Sequence, residues 1–382
     1  MQTHSHRQPA ALAGSTHRLV TCLLGLTSAL LLCTAVFAQS GAYIAIEMEG
    51  LRGGNSVAMD INLNGEVVGR SGRLHGTETR AFLWTPRPTL VPLRPEGRTQ
   101  ALPLGGASSN SRATGINNHG VIVGYGETSD SMRAFLWSRR GGYVDLGALP
   151  GDKSSKAEAI NDAGQVVGSS SGPQGQYAFV WTPGSGFRNL GALPGGQLSE
   201  ARGINNQGHV VGNSDSRNGS HAFLWTPDTG MEALGTLPND TSSVAYAIND
   251  SGQVVGSSSG PFGVRAFLWT RSSGMRDLGA LPGASYTEAY SIDNSGQVVG
   301  ISGTSAGTQA FLWAPGLGLR DLNSFLPHEF ELILAGALEI NDRGWILAFG
   351  SRMREVTSDR TVEHEQHTSP SRMFLLYPNA AF

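Results

Sequence analysis

Cysteine is nearly absent from the 382-residue chain: it has 2, Cys22 and Cys33, both within the first 38 residues. Residues 39–382 therefore offer no disulfide, no thiolate nucleophile and no cysteine metal ligand. Charge is sparse too, at 15% of residues, and 27 basic against 30 acidic side chains give a formal net charge of -3. A basic footprint for nucleic acid is thereby excluded. Past residue 38 no apolar run approaches the roughly 18 residues of a membrane-spanning helix, so no span is expected in the mature chain. Glycine, by contrast, is plentiful: 52 residues without a Gly-X-Y period, which excludes collagen and points to many turns. The hydrophobic share of 39% supports a large core and excludes disorder.

Residues 19–37 form an uncharged apolar run behind Arg7 and Arg18, and Val36-Phe37-Ala38 ends it with small side chains at the -3 and -1 positions of a cleavage site. This predicts a signal peptide over residues 1–38 and export to the periplasm, the cell envelope or the medium. An uncleaved anchor is the other reading of the run, weakened by Thr21, Ser28 and Thr34. Leu32 precedes Cys33 where a lipoprotein signal takes a small residue, which argues against a lipid anchor.

The string Ile-Asn-x-x-Gly, with Asp once replacing Asn, puts isoleucine at 61, 116, 160, 204, 248, 292 and 340. Four of these spacings are 44. A second string, Ala-Phe-Leu-Trp, puts tryptophan at 84, 137, 181, 225, 269 and 313, and a degraded copy spans residues 373–378. A period near 44 matches four short strands plus their turns, the content of one propeller blade. Within residues 157–194, Asn161-Asp162-Ala163-Gly164 reads as a hairpin turn between two strands. Residues 177–182 read as a third strand with Phe179 and Trp181 on one face, Ala178 and Val180 on the other. Both faces are apolar, as a sheet packed between two sheets requires.

The last repeat stops after its third strand, while residues 43–51 match a fourth-strand string placed ahead of the first repeat. The fold expected is all-β: a seven-bladed β-propeller over residues 39–382, with repeats starting near 57, 112, 156, 200, 244, 288 and 336, its ring closed by the N-terminal strand. An open β-solenoid is the alternative. These strings resemble the HAF repeat family of exported bacterial proteins, named for His-Ala-Phe, over about residues 43–378. The full triplet stands once, as His221-Ala222-Phe223, so that histidine is not expected to be a shared catalytic group. The resemblance implies secretion and a repetitive β-fold, and no activity.

The repeated asparagines and tryptophans read as structural, since an Asx side chain in a turn bonds the backbone two residues on. Asp60-Ile61-Asn62-Leu63-Asn64-Gly65 opens like a calcium loop, but Ser71 stands where the bidentate glutamate belongs. Function is therefore sought where repeats differ, in insertions within residues 352–372, 327–334 and 73–79, which a propeller would gather on one face near the seam of its last and first blades. A further insertion within residues 87–104 reads as an edge cover. The seam carries His75, His328, Glu329, Glu363, His364, Glu365, His367 and Arg354 as ligand-face candidates, with His364 and His367 the candidate metal ligands. No nucleotide fingerprint or Gly-x-Ser-x-Gly elbow occurs.

The function expected is that of an exported binding or scaffold module, monomeric and without a cofactor, whose partner is an unidentified extracellular protein or glycan. One alternative is a hydrolase or lyase with a loop-borne His/Glu site, which a divalent metal could serve. The other is a structural repeat protein of the cell envelope.

Overall fold

A computed structural model describes residues 41–51, 56–72, 78–87, 97–105, 110–304, 307–327, 330–352 and 372–379. Among them run 28 strands, numbered β1–β28 in chain order. The repeat dissected above becomes β10 (Ser154–Ile160), β11 (Val166–Gly172), β12 (Gly175–Thr182) and β13 (Gly186–Gly191), an antiparallel four-stranded meander. Its first turn closes with a 3.0 Å bond from Gly164 N to Asn161 O. Gly164 holds φ +76, a left-handed conformation that glycine adopts at little cost.

The same meander follows β2 (Ser56–Ile61), β6 (Ser111–Ile116) and β14 (Ser199–Ile204). The strands that follow β18 (Ser242–Ile248) and β22 (Tyr286–Ile292) form two further meanders, which one parallel pair, Val264 with Tyr286, joins into an eight-stranded sheet. The last repeat supplies β26 (Leu332–Ile340), β27 (Ile346–Arg352) and β28 (Arg372–Pro378), and β1 (Tyr43–Met48) completes that sheet in the order β1-β28-β27-β26. The pairing runs from Tyr43 with Pro378 to Met48 with Met373. Near its end Glu47 accepts from Arg352 Nη2 at 2.9 Å and Arg372 Nη1 at 2.5 Å.

Each sheet buries both faces, as the apolar alternation requires. Ala178 and Val180 join Phe223 and Trp225 of the next sheet in one core cluster, whereas Phe179 joins Val123 and Ala134 of the preceding sheet in another. Phe82, Phe135, Phe179, Phe223, Phe267 and Phe311 are all 0–1% exposed, and each such ring contributes about 2 kcal/mol of burial. The Val-Val-Gly string explains how the ring fits: Gly124 pairs with Phe135 and Gly168 with Phe179 across second and third strands. A Cβ on Gly124 would stand 2.0 Å from Arg112 O and 2.9 Å from the Phe135 ring.

Polar stitches join neighbouring sheets. The hydroxyls of Ser111, Ser155, Ser199 and Ser243, on first strands, accept from Ala81, Ala134, Ala178 and Ala222 N of the preceding sheet. The repeated asparagines do more than hold their turns. Asn62 Oδ1 accepts from Asn64 N and Glu66 N, both at 3.0 Å, while its Nδ2 donates to Asn117 O at 3.1 Å. Asn117, Asn161, Asn205 and Asn249 pass the same bond onward, each to the next repeat.

Candidate functional site

The first strands of the repeats surround a cavity of about 400 Å³. What aims side chains into it is a β-bulge in each first strand, where the register shifts, for example between Ala157 and Ala159 or Ala201 and Gly203. The extra residue is left out of the ladder and turned towards the centre. In the first six repeats those bulge positions are Met59, Thr114, Glu158, Arg202, Tyr246 and Tyr290, and all line the cavity; β26 shifts register between Leu334 and Gly336 and between Ala337 and Glu339, and it lines the cavity with Glu339.

On one side Arg202 lies over the Tyr246 ring at 5.6 Å, and Tyr246 meets Tyr290 edge-on at 5.5 Å. Arg202 also pairs with Glu200 at 3.0 Å and donates to Asn213 at 3.1 Å. Tyr290 donates its hydroxyl proton to Glu288 at 2.6 Å. Burial, then the neighbouring Glu200, pushes the Glu158 carboxyl up to about 7, against the pull of Arg202, Arg112 and Lys156.

On the opposite side Asp60 accepts 2.7 Å bonds from Ile61 N and Ile116 N, and Ser291 donates to Glu339. Burial raises Asp60 to about 6 despite those two amides. Glu339 is raised well above the ordinary carboxylate range by burial and then by the charge of Asp60. The loop-like string at residues 60–65 is not built as a calcium loop: Asp60 lies within β2, and its oxygens and that of Asn62 accept from backbone amides.

The rim alternates amide and carboxylate through Asn118, Asp162, Asn206, Asp250, Asn294 and Asp342. Asn118 N and Nδ2 donate to the two oxygens of Asp162 at 2.9 and 2.8 Å, and Asn294 serves Asp342 in the same way at 2.8 Å. Among the described residues no group of three or more His, Cys, Asp or Glu side chains is placed to hold a metal ion.

The seam candidates His75, His328, Glu329, Glu363, His364, Glu365, His367 and Arg354 lie outside the described residues. The stem of the longest insertion is described. Ile346 at the start of β27 pairs with Ile340, next to the Ile-Asn turn, and Arg352 at its end pairs with Leu332, at the far end of the sheet from that turn. The cavity rim is built from the residues after those Ile-Asn pairs.

Sequence reasoning passed over the cavity because its residues fall inside a repeated string that reads as structural. A signal was present: two places before the repeated isoleucines, Met59, Thr114, Glu158, Arg202, Tyr246, Tyr290 and Leu338 share no chemistry, while alanine one place earlier is constant.

A scan against protein-family models gives no match, and neither does a search of curated proteins. Solved structures do match. The β-propeller domain of the Trilobed protease from Pyrococcus furiosus, described as having an open velcro topology, is 10% identical with a TM-score of 0.51, covering 78% of this chain and 91% of that one. Virginiamycin B lyase from Staphylococcus aureus is also 10% identical with a TM-score of 0.51, covering 88% of this chain and 99% of that one. At such identity the likeness concerns fold alone, and the fold is that of a β-propeller.

Proposed function

We propose that this chain is an exported seven-bladed β-propeller, closed by β1, that acts as a binding module and takes its ligand in the axial cavity. The observation that carries the proposal is the variety at one repeated place. A residue kept only to build the sheet would be the same in every copy, as the neighbouring alanine is, yet Glu158, Arg202, Tyr246 and Tyr290 differ and converge on one cavity. Closure is supported by the β1–β28 pairing and by the bond from Asn341 to Asn62. Export is supported by the leader-like residues 1–38 and by the resemblance to HAF repeat proteins, and the partner in view is an extracellular glycan or protein.

The test is binding of residues 39–382 to glycan and peptide arrays, beside an Arg202→Ala/Tyr246→Ala variant with an unchanged melting temperature. Loss of binding in the variant supports the cavity; unchanged binding moves the ligand to another surface, the inserted seam first. Fractionation of cells expressing the full chain, with the mature N-terminus read after Ala38, tests export.

A second reading, a hydrolase or lyase, draws on Glu158, since a carboxyl near neutrality inside a cavity can give and take a proton. Product formation from a bound glycan or peptide, lost in Glu158→Gln while binding remains, would select it.

A further inference from the structure

We infer that the axial cavity receives a small organic cation, one bearing an alkylammonium or guanidinium group. The inference goes beyond the glycan or protein partner proposed above and rests only on the cavity being the binding site.

The first argument is charge. Asp60, Glu158 and Glu339 line the wall and Asp162, Asp250 and Asp342 the rim, whereas Arg202 alone brings a cation to the described lining. That guanidinium is already engaged by Glu200 at 3.0 Å, and the other cations that act on Glu158, Arg112 and Lys156, stand outside the lining, so carboxyls outnumber cations on the cavity surface itself. Glu158 in particular is half-buried in the cavity wall and makes no hydrogen bond or ion pair among the described residues. A recess lined by one sign of charge between low-dielectric walls concentrates the opposite ion.

The second argument is the cost of burying the wall carboxylates. Asp60 and Glu158 hold their protons up to about 6 and about 7, burial being the largest cause in each case. A cation in the cavity takes over the compensation those protons provide.

The third argument is shape and surface. Tyr246 and Tyr290 line the same cavity as the carboxyls, and the Tyr246 ring already carries the Arg202 guanidinium at 5.6 Å, the kind of contact an organic cation makes with such a ring. An inorganic ion fits less well, because no three ligating groups converge among the described residues and the rim carboxylates already accept from Asn118, Asn206 and Asn294. The volume of about 400 Å³ suits a free small molecule.

The experiment is calorimetry on residues 39–382 with agmatine, which carries both a guanidinium and an ammonium group, against 1,4-butanediol, a neutral chain of similar length. Agmatine is expected to bind and the diol not. Affinity should weaken about tenfold or more in Glu158→Gln, and it should fall as salt is raised. Glu158→Gln removes an unpaired charge and keeps the fold, which its melting temperature checks. Comparing the two ligands on the unmodified protein needs no variant at all.

Binding of calcium in place of agmatine overturns the inference, and so does binding of an unstructured Lys/Arg peptide where free agmatine fails. If a neutral saccharide binds and the Arg202→Ala/Tyr246→Ala variant loses it, the cation falls and the cavity reading stands. If the array ligand binds the variant unchanged and agmatine binds nowhere, both fall.

Discussion

The side-chain amide of Asn341 donates a 3.0 Å hydrogen bond to the main-chain carbonyl of Asn62, 279 positions away in the chain. It is the same bond that Asn62, Asn117, Asn161, Asn205 and Asn249 each make to the following repeat. Asp293 occupies the equivalent place in the sixth repeat, and a carboxylate has no proton to pass on.

Asp293→Asn is expected to stabilise the protein. Asn161 and Asn249 donate to Gln165 and Gln253 at 2.9 and 2.8 Å, but Gln297 turns its amide towards Asp293 at 3.0 Å and leaves Oε1 buried without a partner. The asparagine restores a donor, and the gain is about 1 kcal/mol. Burial raises the Asp293 carboxyl, so the native residue weighs against the fold above its unfolded value of about 4 and the gain grows as pH rises. Urea midpoints at pH 5 and pH 8 check it; an unchanged or lower midpoint at pH 8 counts against the bond.

Stability should fall as pH rises from about 4 through about 7. Asp60, held at about 6, and Glu158, at about 7, both lie above their unfolded values, so the folded chain binds protons the unfolded chain has released. Glu339 shifts in the same sense. Thermal melts across this range measure the slope, and Glu158→Gln should make it shallower. A stability that climbs through the window contradicts the assignment.

Glu47 works in the opposite direction. Burial pushes its carboxyl up, but hydrogen bonds from Arg372 and Arg352 outweigh burial and hold it below the ordinary range. Its contribution is present above the unfolded value and lost as pH falls. Glu47→Gln should cost up to about 1 kcal/mol near neutrality and less in acid. Amide exchange in β1 should quicken, because the pair of arginines comes from the strands β1 docks on; unchanged protection of residues 43–48 would dismiss the clamp.

Two glycines should respond very differently to alanine. At Gly168 a Cβ would stand 1.9 Å from Lys156 O, so Gly168→Ala must move backbone and costs about 3 kcal/mol or more. Gly184 holds φ +78 with nothing within 4 Å of an added Cβ, so Gly184→Ala meets only the left-handed penalty of about 1–2 kcal/mol. Denaturant midpoints rank them, and equal losses would remove the close-approach argument.

The sequence by itself determined whatever repeats locally. The Ile-Asn-x-x-Gly turn, the Ala-Phe-Leu-Trp strand with two apolar faces, and the meander they build depend on residues close together in the chain, so spacing and turn chemistry suffice to read them. The tertiary structure decided what depends on neighbours about 20 or more positions away, in another sheet. One case is the asparagine amide reaching the next turn; another is the serine hydroxyl capping an alanine amide in the preceding sheet. The cavity belongs to this second kind. Glu158, Arg202, Tyr246 and Tyr290 are far apart in the chain, and only the bulge in each first strand turns them towards one centre. A two-residue alternation places those side chains within a sheet; an extra residue, which no periodicity announces, re-aims them.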